Sequence, residues 1–466
     1  MNRYADRSSV PHKRILMSVV LSVMLLTVVP NARRTWAEPE GWNQTYGGTN
    51  SDVARALVRT SDGGYALAGE TKSYGAGGYD FWLIKTDVDG NVLWNTTYGG
   101  TSDDKAWALV QTSDGGYAIA GQTYSFGAGF DDFWLVKTDA SGNLLWNVTY
   151  GGADTDAASA LVQTGDGGYA VTGQTRSFGL AANHDFWLIK TDEFGSMLWN
   201  RTYGREHGEW ASAIVQTDDG GYALAGCAYP WGTTATTTDF WLVKTDANGT
   251  KLWDKLYGST SYFEYAYALV QTDDGGYALA GDTYSPGVPD SHDFWLVKTS
   301  ANGTKLWDKF YGGTKSEVPF ALVQTADNGY ALAGYTKSFG AGNWDAWLVK
   351  TDVSGNPLWN VTYGGTYSDV ACALLQTSDG RCVLAGGTGS FGAGSDDAWL
   401  IKTSLSLIEG DINVDGTVDI FDIVIVALEF GHPPPSIIDT RADVNKDGVV
   451  DIFDIAVVAA HFGAHA

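Results

Sequence analysis

A tryptophan preceded by Phe or Ala recurs at Trp82, Trp134, Trp187, Trp241, Trp295, Trp347 and Trp399, in steps of 52, 53, 54, 54, 52 and 52 residues. A period near 50, repeated seven times, restricts the fold severely, because each unit must bury its apolar face against the next copy. The second copy reads as four strand-like runs, "AWALVQT", "GYAIAGQT", "DFWLVKTD" and "LLWNVTYG". Gly-rich punctuation, "SDGG", "YSFGAGFD" and "ASGN", separates them. "DG" and "GN" between alternating runs are tight-turn signals.

Four strands in each of seven units predict an all-β fold, a seven-bladed β-propeller over residues 42–403. A β-solenoid is the other repetitive option, but its coils are shorter and its ends need caps. The phase of the repeat favours the propeller. The chain enters on the fourth-strand motif "GWNQTYGG" and the last copy stops after the third, "AWLIKTS". The N-terminal strand is therefore expected to complete the last blade and remove the open edges. With the Ala-rich "ALVQT" strand nearest the axis, the "SDGG" and "DxxGN" turns share one face. The longer "SFGAGxxD" and "YGGxxSD" loops share the other, where a ligand site is expected. Three Cys cannot all pair within one chain, and a two-residue turn at Asp379-Gly380 would set Cys382 opposite Thr377 rather than Cys372. No disulfide is predicted.

The repeat unit "TSDGGYALAG" followed by "FWLIKTDxxGNxLW" resembles repeats of secreted bacterial and archaeal surface proteins, some with endoglucanase-like names. The resemblance implies a scaffold. "DVDGNVLW" also looks like the docking motif of quinoprotein propellers, one residue short between Asp and Gly, but the repeat consensus shows no unique central site for a quinone.

Residues 1–37 read as an export signal: a basic leader, the apolar run Ile15–Val29, then Pro30 and "TWA". Left uncleaved, the segment would act as an N-terminal membrane anchor. The rest of the chain is expected outside the cytoplasm, secreted or at the cell surface. The net charge of -25 disfavours nucleic acid. Asn-x-Thr occurs at Asn43, Asn95, Asn147, Asn200, Asn248, Asn302 and Asn360, once per unit. Alternation in "LWNVTYG" turns Asn147 away from a packed Trp146. Where two copies read "WDK", an "NGT" stands in the turn just upstream, at Asn248 and Asn302. A strand-packing residue could not move six positions and keep its role, whereas a glycan acceptor could, so all seven are read as glycosylation sites.

After "SLSLIEG" the composition changes. "DINVDGTVDIFD" (411–422) and "DVNKDGVVDIFD" (443–454) match twelve-residue calcium loops. Such loops supply oxygens from positions 1, 3, 5, 7, 9 and 12, with Gly at 6. The first offers Asp411, Asn413, Asp415, the Thr417 carbonyl, Asp419 and Asp422. The second offers Asp443, Asn445, Asp447, the Val449 carbonyl, Asp451 and Asp454. Two calcium ions are expected. Each loop leads into an apolar helical stretch, and position 12 is Asp rather than the EF-hand Glu. These features resemble type I dockerin domains over residues 409–463. The resemblance implies a small α domain, a cohesin-bearing partner, and partner selection by loop positions 10 and 11, here Ile420, Phe421, Ile452 and Phe453. An internal clasp against the propeller is the competing use of these apolar pairs.

A glycosidase needs two carboxylates flanking a bond. Departures from the repeat offer Glu206, His207, Glu209 and Trp210 at the fourth junction, Trp231 in the neighbouring loop, and Glu264 and Glu317 nearby. Glu206 and Glu209 are the catalytic candidates. Each unit carries an acid near that point, such as Asp52, Asp103, Asp154 and Asp369, so ordinary repeat drift competes with this reading. His184, His292 and His432 read as isolated loop residues. The leading expectation is a noncatalytic, dockerin-tethered propeller that presents a surface to a glycan or cell-surface partner. The alternatives are a polysaccharide-degrading hydrolase and a structural surface component.

Overall fold

A computed structural model describes residues 41–403 apart from 181–182, 206, 230–236, 260–262 and 285–290, and beyond them Ile423, Val426 and Ile452–Ala460. The export segment, Glu206, Trp231, His432, Ile420, Phe421 and every calcium ligand except Asp454 lie outside the described residues.

Among the described residues, twenty-eight strands form seven four-stranded antiparallel sheets. In the first blade these are β2 (Asp52–Arg59), β3 (Tyr65–Thr71), β4 (Asp80–Thr86) and β5 (Val92–Tyr98). The seventh blade combines β26 (Asp369–Gln376), β27 (Cys382–Thr388) and β28 (Asp397–Lys402) with β1 (Trp42–Tyr46). Trp42 pairs with Lys402 and Tyr46 with Ala398, so the expected ring closure is present. The first strand of each blade contacts the first strands of both neighbours, which places the Ala-rich strands innermost.

Apolar alternation supplies the packing. The middle strands "YAIAGQT" and "DFWLVKT" are buried almost throughout, as strands covered on both faces must be. Phe81 lies on Trp134 of the next blade at 4.6 Å between ring centroids, and four further blade junctions repeat the pair. The Trp of "LWN" serves the same seam further out. Trp94 sits edge-on to Tyr117 and covers Gly142, while the Tyr98 hydroxyl donates to the Gly142 carbonyl at 2.6 Å. Gly142 has φ +79° and no room for a Cβ beside Trp94, so the "GN" glycine serves turn and seam together.

Two registers differ from the sequence expectation. The "SDGG" hairpin is longer than a two-residue turn. Thr112 N–H donates to the Gly116 carbonyl and Gly115 N–H to the Thr112 carbonyl, with Gly115 at φ +83°, giving a three-residue loop with a bulge. Cys382 accordingly pairs with Gln376, not Thr377. Cys227, Cys372 and Cys382 are free thiols. Secondly, every innermost strand carries a bulge, between Ala54 and Ala56 in the first blade and at the equivalent place in the other six. The bulge brings the Val53 carbonyl within 1.9 Å of where a Cβ on Gly69 would stand, which explains the Gly of "ALAG".

Beyond the propeller, Ile452–Ala460 form helix α1. No helix of the described residues is long and apolar enough to cross a membrane.

Candidate ligand site at the axial mouth

The bulges set apart seven positions that the repeat consensus conceals. The residue inserted in each blade is Arg55, Trp107, Ser159, Ser212, Tyr267, Phe320 or Cys372, six residue types in seven copies, between small residues that barely change. All seven are half-buried and stand on the innermost strands. Neighbours touch around the axis. Arg55 Nη1 lies 3.7 Å from Cys372 Sγ, its guanidinium is 4.9 Å from the Trp107 ring, and Tyr267 and Phe320 meet edge-to-face at 5.3 Å. The seven-fold symmetry is therefore broken on the axis.

A second tier lies at the long-loop end, where the x of "AGxT" reads Glu70, Gln122, Gln174, Cys227, Asp282, Tyr335 and Gly387. Glu70 holds Arg55 at 2.8 Å. Tyr335 extends the Tyr267 and Phe320 cluster outward and stacks on Trp344 at 5.0 Å and 17°. Trp344 is 37% exposed and Lys337 Nζ lies 5.2 Å from its ring. Asp282 is buried, and its Oδ2 lies 2.6 Å from His292 Nδ1. Burial raises the Asp282 carboxyl, opposed by His292 beside it. His292, expected to stand alone, is thus oriented by a carboxylate on the adjacent strand, with Tyr284 against its ring. Aromatic faces, a guanidinium, a carboxylate and an oriented imidazole together suit a ligand with both apolar faces and hydroxyl groups.

The acids proposed from the repeat departures occupy a different place. The equivalent positions are Asp52, Asp104, Asp156, Glu209, Glu264, Glu317 and Asp369, all buried. This corrects the alignment that used Asp103 and Asp154. Asp104 shows the role: it accepts from Thr123 Oγ1, from Ser125 Oγ at 2.7 Å and from Gly100 N–H at 2.9 Å, tying two loops together. Glu317 does the same with Thr336, Ser338 and Gly313. Glu209 takes the Arg205 N–H at 3.1 Å, and burial, with Asp185 beside it, pushes its carboxyl up to about 8. Glu264 takes Ser259 and Thr283 hydroxyls and is also pushed up to about 8 by burial, with Asp239 adding to the effect. These groups organise loops and offer no accessible pair for a glycosidic bond. Trp210 is half-buried, with its ring 5.8 Å from that of His184.

The sequon asparagines face outward as expected, and all seven are exposed. Five of them also have a structural role. The buried Trp134 Nε1–H donates to Asn147 Oδ1 at 3.1 Å, and Trp82, Trp187, Trp347 and Trp399 repeat the bond to Asn95, Asn200, Asn360 and Asn43. In the "WDK" copies Asp254 and Asp308 accept from Trp241 and Trp295 at 2.9 and 3.0 Å. The packing role therefore never moved; the carboxylate replaced the amide in place. At the far end of the chain, Ile452 and Phe453 open α1, and Asp454, buried, lies in its first turn.

Residues 409–463 match the Dockerin type I domain family. Over 159 residues the chain is 28% identical to Regulatory protein FlaEY of Caulobacter vibrioides, covering 29% of this chain and 17% of that protein. Among solved structures it is similar to the Pan2 WD40 domain of Neurospora crassa, at 10% identity, TM-score 0.48, covering 80% of this chain and 98% of that one. It is also similar to a protein of unknown function from Dyadobacter fermentans, at 12% identity, TM-score 0.42, covering 81% and 100%.

Proposed function

We propose, from the premise that residues 409–463 are a type I dockerin, that this chain is an exported adaptor whose tail docks on a cohesin module while its propeller presents the axial mouth to a carbohydrate. Type I dockerin domains bind calcium and cohesin domains, and proteins that carry them are generally extracellular or assembled at the cell surface. In this chain the two loops would hold two ions through Asp411, Asn413, Asp415, Thr417, Asp419 and Asp422, and through Asp443, Asn445, Asp447, Val449, Asp451 and Asp454. Carboxylates, amide oxygens and one carbonyl per loop are the hard oxygen donors calcium takes, and the buried carboxylate of Asp454 at the start of α1 fits the twelfth position. Bound calcium supplies folding free energy to a domain too small to hold itself. Ile420, Phe421, Ile452 and Phe453 are the proposed cohesin contacts.

The observation that carries the carbohydrate reading is the divergence of the axial positions inside an otherwise repeated scaffold. Shared positions are spent on packing, and the side chains that differ converge where a ligand can reach them. Aromatic rings there stack on the C–H faces of sugars, and adjacent polar groups take the hydroxyls. The seven exposed asparagines are the proposed glycan acceptors on the outer rim, and intact mass of natively expressed protein would reveal them.

The test is a glycan panel with the full calcium-loaded chain, read for binding and for reducing ends released. Retention without release, lost in Trp344→Ala, is expected. Release would assign a hydrolase, and neither binding nor release would leave a purely structural component.

A further inference from the structure

Six propeller lysines, Lys85, Lys137, Lys190, Lys244, Lys298 and Lys350, are buried, and each is neutralised by an aspartate at 2.7 to 2.9 Å. Lys72 and Lys105 belong to a second group of lysines, which lie outside those buried pairs. Both stand on the long-loop face, with their Nζ atoms 5.5 and 4.8 Å from the centroid of the Tyr79 ring. Among the described residues neither forms an ion pair. Two ammonium groups gathered on one ring concentrate positive charge at one point of a chain whose net charge is -25.

Lys105 lines a polar hollow of about 480 Å³ together with Ser102, Asp103, Gln122 and Tyr124. Lys105 and Gln122 are cross-strand partners between β6 (Asp104–Gln111) and β7 (Tyr117–Thr123), so the scaffold fixes their spacing. Asp103 Oδ1 accepts the Tyr79 N–H at 3.0 Å, which anchors that wall to the lysine-flanked ring. Tyr124 is 46% exposed.

Resting on the carbohydrate reading above, we propose that this hollow binds a uronic acid residue of an acidic polysaccharide, with the Lys72 and Lys105 ammonium groups receiving its carboxylate. The sugar ring lies on Tyr124, and its hydroxyls reach the Gln122 carboxamide and the Asp103 carboxylate. A neutral sugar leaves both cations without a counter-charge. An acidic peptide brings the carboxylate without the ring hydroxyls that Asp103 and Gln122 would take.

Calorimetric titration of the full calcium-loaded chain tests this, using oligosaccharides of glucuronoxylan and hyaluronan and the same oligosaccharides with their carboxylates reduced to alcohols. The acidic forms are expected to bind about tenfold more tightly, as charge-assisted bonds exceed neutral ones. The difference should shrink in high salt and disappear in Lys105→Gln, with Lys72→Gln intermediate and both variants melting like the parent protein. Equal affinity for acidic and reduced forms would overturn the uronate site and leave carbohydrate binding standing. Absence of binding to every form would overturn both. Tighter binding of poly-glutamate than of any uronate would assign an acidic peptide instead.

Discussion

The two faces of the propeller treat carboxylates in opposite ways. On the short-turn face Asp62, Asp114, Asp166, Asp219 and Asp274 are held at about 2, since hydrogen bonds from a neighbouring Thr, a Lys ammonium and a Gly N–H outweigh partial burial. On the long-loop face burial dominates: Asp80, Asp132 and Asp185 are raised, Asp239 reaches about 6, and Glu209 and Glu264 reach about 8. The first arrangement recurs almost unchanged from blade to blade. The second departs most in the fourth and fifth blades, beside the divergent axial mouth. Repetition marks where the chain stabilises itself, and departure marks where it does something else.

The tail offers the largest contrast with the propeller. Chelation of calcium in the full chain should abolish cohesin capture and helix formation in residues 409–463. The propeller's melting transition should stay in place, since its blades are held by buried aromatic and aliphatic packing between the sheets. Loss of both transitions together would break the separation.

Within the propeller, Trp134→Ala removes a buried ring packed on Phe81 and Phe126 and should cost about 3–5 kcal/mol in chemical denaturation. Trp344→Ala, at the mouth, should cost well under half of that and remove ligand binding instead. Similar losses from both would erase the distinction between scaffold and site.

The pH response separates the faces by sign. Carboxylates held at about 2 contribute stability that is present above about pH 4 and lost as pH falls toward 2. Glu209 and Glu264 do the reverse. Between their ordinary value near 4.5 and about 8 the unfolded chain ionises while the folded chain keeps its protons, so stability falls as pH rises. Glu264→Gln should raise the melting temperature at pH 7 and flatten that slope, leaving the acid limb untouched. An unchanged slope would contradict the raised pKa.

The smallest effect is expected on the outer rim. Asn147→Ala leaves the Trp134 indole N–H without its acceptor and should cost about 1 kcal/mol, whereas Asn147→Asp copies Asp254 and should be nearly neutral. Both remove the sequon, so equal effects would point to the glycan rather than the hydrogen bond.

The architecture was legible because its signals are local or periodic: the Trp spacing, the "GN" and "DG" turns, and the fourth-strand motif at the entry. The dockerin match over residues 409–463 was legible for the same reason. What escaped depends on partners distant in sequence. "AWA" reads as plain alternation, yet the bulge turns its middle residue into an axial one. His292 looked isolated because Asp282 reaches it across the sheet, and Asn147 looked free because its donor lies thirteen residues upstream on another strand. One signal was available. Stacking the seven copies shows "AxA" and "AGxT" holding almost everything except x.

Hydrogen exchange on the full chain, with and without a bound oligosaccharide, tests most directly whether the divergent mouth is the ligand face. Protection is expected in peptides covering residues 100–126 and 330–345, with the "DxxGN" turns unaffected. Protection confined to those turns or to the outer strands would contradict it.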